Sequence, residues 1–81
     1  MTDTSRRILR QMSLPLADAH RQLGELHAER DEHELADRSF DAALAILTEA
    51  GMAERKAECL AAHHRVLEAR GELVRLERSA G

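Results

Sequence analysis

The chain has no tryptophan and no tyrosine, and Phe40 is its only aromatic residue. Valine, isoleucine and threonine are scarce too, so the side chains that favour a pleated, half-buried strand are nearly missing. No segment alternates apolar and polar residues long enough to argue for a strand. The single cysteine, Cys59, excludes an internal disulfide framework and a cysteine-pair zinc site. No apolar run approaches the roughly 18 residues of a membrane span, and the N-terminus lacks the apolar stretch of a signal peptide. A cytoplasmic protein is the expectation. There is also no glycine-rich phosphate loop, no dinucleotide fingerprint and no Ser-His-Asp set with a recognisable spacing.

What remains is helical material. The 81 residues are 43% hydrophobic, almost all aliphatic or alanine, and 33% charged. A chain of this length forms one small domain and buries only about 60% of the surface its unfolded form exposes. Its net charge of −3 is unevenly spread. Residues 1–14 carry Arg6, Arg7 and Arg10 against Asp3, and residues 55–81 are also net basic. Residues 25–41 hold seven acids against Arg30 and Arg38. Opposed patches of this kind raise encounter rates with a charged partner or a second copy.

Helix punctuation predicts an all-α protein of antiparallel hairpins. Thr2 to Ser5 offer caps for a short basic helix from Arg6 to about Ser13, and Pro15 suits the first turn of the next one. These divide the chain into a basic N-terminal helix (1–14) and a helical domain (15–81). Leu16, Ala19, Leu23 and Leu26 recur at helical spacing to about Arg30, and Asp31 to Glu34 reads as a turn. Ala36, Phe40, Ala43, Leu44 and Leu47 give the third helix an apolar face, closed by Gly51. A fourth helix, Ala53 to Arg70, carries Ala57, Leu60, Ala61, His64 and Leu67. Gly71 breaks it; Leu73, Val74 and Leu76 add a turn or two before a frayed Ser79–Gly81.

The spacing Leu23-Gly24, then Ala36, Phe40 and Ala43, resembles a tetratricopeptide repeat, L-G on a first helix and A-x3-F-x2-A on a second. Gly24 inside a helix costs about 1 kcal/mol relative to alanine, and close approach of the partner helix would account for it. His20 and His27 stand where that family has Trp and Tyr, and Thr48 where it often has Pro. A weaker echo begins at Leu60. Together they make about one and a half repeats over Leu16 to Leu76, resembling the longer-repeat variant of actinobacterial regulatory proteins. The resemblance implies a partner-binding groove lined by the first helix of each pair. Carried over by position, Asp18, Arg21, Glu25 and Glu29 line it from the first unit, and Glu58, Arg65 and Glu68 from the second. Such a surface suits a polar peptide or helix bearing both signs of charge.

Catalytic chemistry finds little support. His20 and His27 lie two turns apart, and His64 and Glu68 stand at i, i+4, so a metal-binding bundle or small enzyme using His20, His27, His63 and His64 is the alternative reading. No Glu-x-x-His pair and no His-Glu-x-x-His motif supports it. Cys59 has Glu58 beside it, and an acidic neighbour does not activate a thiol. Nucleic-acid binding would need a basic face and stacking aromatics, and the basic N-terminal helix is too short to hold a membrane by itself. The expectation is a non-catalytic protein-interaction module without cofactor or metal, either a free-standing adaptor or a piece of a larger regulator. Short apolar stripes near both ends (Ile8, Leu9, Met12; Leu73, Val74, Leu76) point to a homodimer.

Overall fold

A computed structural model describes the backbone of residues 3–80 and the side chains of residues 3–71. Its described residues form three α-helices and no strand: α1 (Asp3–Glu29), α2 (His33–Glu49) and α3 (Ala53–Ala80). Each helix runs antiparallel to the one before it. The whole is 59 Å long and 18 × 12 Å across, with α1 and α3 each packed on α2 and touching each other.

Two identical turns, 20 residues apart, set this arrangement. At the end of α1, Asp31 adopts φ 59°, its N–H donates to the Ala28 carbonyl (3.1 Å), and the Glu32 N–H donates to His27 (2.9 Å). At the end of α2, Gly51 adopts φ 68°, its N–H donates to Thr48 (3.2 Å), and the Met52 N–H donates to Leu47 (3.0 Å). Both are Schellman closures, in which one left-handed residue satisfies the last carbonyls of a helix. The residue after each pivot caps the next helix: the Glu32 carbonyl accepts from Ala36 and the Met52 carbonyl from Lys56. Gly51 acts as the sequence predicts. Asp31 does the same work without glycine's freedom, and the turn is shorter than expected, since His33 and Glu34 already belong to α2.

Two expected breaks are absent. α1 runs through Pro15, which removes one hydrogen bond to the Gln11 carbonyl. Both residues are exposed, so water can take up that carbonyl and the helix persists. The separate short helix 6–13 is therefore the first half of α1. α3 likewise runs through Gly71 to Ala80. Glycine weakens a helix but ends one only where a left-handed residue is required, and Gly71 has no such φ. Three helices replace the four expected. The side chains of Leu73, Val74 and Leu76, and Gly81 itself, lie outside the described residues.

The core is small and built around one ring. Phe40 is fully buried among Ala17, Ala43, Leu47, Cys59 and Ala62, with Leu44, Ile46, Met52 and Val66 packed at its edge. α2 buries the face expected of it: Ala36, Phe40, Ala43 and Leu47. α1 does not. Its buried positions are Ser13, Ala17 and Gly24, whereas Leu16, Leu23 and Leu26 are about half exposed and Ala19 is exposed. α3 turns inward with Cys59 and Ala62, and the expected stripe of Ala57, Leu60, Ala61, His64 and Leu67 faces out. Size decides this choice. Helices pressed against a phenylalanine ring approach most closely through small side chains, which leaves the leucines outside.

Candidate functional site

Gly24 makes the close approach of α1 to α2 possible. A β-carbon built there would stand 2.8 Å from Cδ2 and Cε2 of Phe40, well inside contact distance. His63 of α3 is stacked on the same ring, at 4.7 Å between centroids and 11° between planes. His63 Nε2 reaches Asp37 Oδ1 (3.2 Å), and the two terminal nitrogens of Arg70 donate to the same carboxylate at 3.1 and 3.3 Å. α3 is thus fastened to α2 by one stack and one forked ion pair. The Arg70 hydrogen bonds and the neighbouring His63 hold the Asp37 carboxyl below its ordinary value of 3.8, against an opposing desolvation.

Between the C-terminal half of α1 and the middle of α3 runs an open groove of about 510 Å³. Ala28, Ala62, Val66 and Ala69 give it an apolar floor. Glu25, Glu29 and Asp31 stand on the α1 side, Arg65 and Arg70 on the α3 side, and His33 closes one end. Charges of opposite sign therefore face each other across small apolar side chains. His33 Nδ1 and Arg70 Nε, both in residues of this lining, are buried without a hydrogen-bond partner.

Three of the seven residues expected to bind a partner, Glu25, Glu29 and Arg65, meet in that groove. Asp18, Arg21 and Glu58 sit further along the same α1–α3 seam, around a nearly filled cleft with Ala17, Leu47, Arg55 and Cys59. Arg21 is held by Glu25 (2.9 Å, one helical turn on), and Arg55 approaches Glu58 at 3.5 Å. Glu68 is not brought to the groove; it pairs with His64 (2.8 Å) on the exposed side of α3. Of the expected repeat positions, Gly24, Ala36, Phe40 and Ala43 are buried at the α1–α2 contact, and Leu23 is 44% exposed.

The histidines of the alternative reading are dispersed. His63 lies on Phe40, His64 points outward to Glu68, and His27 Nδ1 approaches Glu32 at 3.3 Å in the first turn. No three His, Cys, Asp or Glu side chains converge among the described residues. Cys59 is buried against α1. Burial pushes its thiol up, Arg21 pulls the other way, and Glu25 and Asp18 add to the rise. A thiol held protonated is a poor nucleophile. No local pattern signals the Asp37–His63–Arg70 fastening, because its members lie 26 and 33 residues apart. No described helix is long and apolar enough to cross a membrane. Comparison with family models, with curated proteins and with solved structures yields no match to this chain.

Proposed function

We propose that this chain is a non-catalytic protein-interaction module, similar in design to a tetratricopeptide repeat. On this reading it takes a polar peptide or helix in the groove between α1 and α3. The observation that carries the reading is the groove's construction: acids on one wall, arginines on the other, and a floor of alanines and one valine. A partner helix or strand with small apolar residues between charges of both signs would fit it, since complementary potentials fix register and speed encounter. The approach of Gly24 to Phe40 and the three-residue turn between antiparallel helices support the repeat resemblance.

Such a module serves as an adaptor or as part of a larger regulatory protein, working in the cytoplasm and self-associating as a homodimer. Its test is affinity capture from native lysate with three baits: the intact chain, Arg65→Glu, and His64→Ala outside the groove. Specific captures should be lost with Arg65→Glu and kept with His64→Ala. Captures indifferent to Arg65→Glu would overturn the groove as the binding site.

A further inference from the structure

The leucines left outside α1 are not scattered. Leu9, Met12, Leu16, Ala19, Leu23 and Leu26 follow one another at steps of three and four, the a and d positions of three heptads. The five large ones are 41–70% exposed. This seam lies about 110° around α1 from the buried Ser13–Ala17–Gly24 line, at 100° per residue, and on the side away from Asp18, Arg21 and Glu25, which face α3. α2 continues it. Asp37 points to α3, so exposed Leu35 and half-buried Ala42, roughly opposite on the helical wheel, lie toward the same outer face as the seam.

We infer that this outer face of the α1–α2 hairpin pairs with the same face of a second copy, α1 against α1 and antiparallel, closing a four-helix bundle. The pairing rests on the self-association named in the reading above and is independent of the groove. Three features select a second copy as the occupant. The first is register. An antiparallel pair centred between residues 17 and 18 sets Leu9 against Leu26, Met12 against Leu23, and Leu16 against the small Ala19, large facing small at the centre. The second is charge. The same register lays the basic end of one α1 (Arg6, Arg7, Arg10) beside the acidic end of the other (Glu25, Glu29). These side chains stand off the seam, so the effect is long-range, and a parallel pair would lay basic end on basic end.

Area is the third. Half-exposed side chains of this size hold roughly 80 Å² of apolar surface each, so Ile8 and the five seam residues give about 500 Å² per copy. Both copies together bury about 1,000 Å², the lower bound for a specific interface, before α2 adds its share.

Sedimentation equilibrium across a concentration series tests the pairing. The intact chain should sediment at twice its 9.1 kDa mass. Leu16→Glu/Leu23→Glu should weaken the dimer at least ~100-fold with helicity kept, because both positions are exposed in the single copy. A monomeric intact chain overturns self-association and this surface together. A dimer that survives the leucine changes overturns the surface alone. Register has its own readout, which does not depend on how the glutamate variant folds. Met12→Cys chains mixed with Leu23→Cys chains should oxidise to a disulfide that joins one variant to the other. Preferential linkage of Met12→Cys chains to each other would overturn the antiparallel arrangement.

Discussion

Gly24 and Phe40 occupy space that a single extra carbon would contest: a β-carbon on Gly24 would sit 2.8 Å from two atoms of the ring. The ring is fully buried and has His63 stacked on it, so it has little room to give way. Helix propensity and packing therefore pull in opposite directions at this position, and packing wins. Gly24→Ala gains about 1 kcal/mol of helix propensity but overpacks the hairpin, for a net loss of roughly 1–2 kcal/mol; Gly24→Leu loses more. Gly71 is the control. Nothing stands within 4 Å of its missing β-carbon, so Gly71→Ala should gain up to about 1 kcal/mol. Urea denaturation of the two alanine variants should give shifts of opposite sign.

Removing the ring itself should be more costly. Phe40 is the largest fully buried side chain and the contact point of all three helices. Phe40→Ala is expected to cost about 3–5 kcal/mol, enough to leave so small a domain largely unfolded at 25 °C. Circular dichroism and the loss of a cooperative transition report it.

The two left-handed pivots predict opposite responses to glycine and alanine. Asp31 at φ 59° bears a strain that Gly51 at φ 68° does not. Asp31→Gly should stabilise by a few tenths to about 1 kcal/mol, and Gly51→Ala should destabilise by about 1 kcal/mol. Thermal melts of the two single variants decide it.

Asp37 makes stability depend on acid. Its folded-state pKa lies below 3.8, held down chiefly by the Arg70 hydrogen bonds. A depressed carboxyl stabilises the fold above its unfolded value and loses that contribution as pH falls through the folded one. The side chain is 41% exposed, so solvent screens the pair and its worth stays under about 1 kcal/mol. Between pH 5 and 3, the intact chain should lose stability more steeply than Asp37→Asn, as measured by urea midpoints. Equal slopes would show that the fork carries no weight.

Cys59 should be nearly silent toward a thiol reagent in the folded chain and react fully in 6 M guanidinium. Its burial and raised pKa leave little thiolate at pH 8. Fast labelling under native conditions would mean that α3 separates readily from α1.

Where residue type dictates geometry, the sequence is readable. The α2 face, the Gly51 pivot and the nearness of Gly24 to Phe40 follow from spacing and from what glycine alone permits. Hydropathy misleads on the face of α1 because it ranks leucine above serine, alanine and glycine, whereas a close helix contact ranks by size. Pro15 and Gly71 are poor helix residues, yet each sits where the helix can bear it. Three residues of the groove's lining, Glu25, Glu29 and Arg65, are ones the repeat resemblance implies, with the stripe along α1 in agreement. Its closing residues His33 and Arg70, and the tie from Asp37 to α3, depend on how the third helix lands, which no local pattern states.

Five of the eight buried hydrophobic residues among those described are alanines. Methyl-sized side chains draw helices together but remove little hydrocarbon from water, and the heat capacity change of unfolding scales with that apolar area. Per residue, this chain should therefore fall below the usual ~12–15 cal/mol/K, with a shallow urea dependence to match. Its stability curve is correspondingly flat, and its thermal transition broad. Cooling should weaken the fold less than it weakens one of equal length built on leucine and phenylalanine.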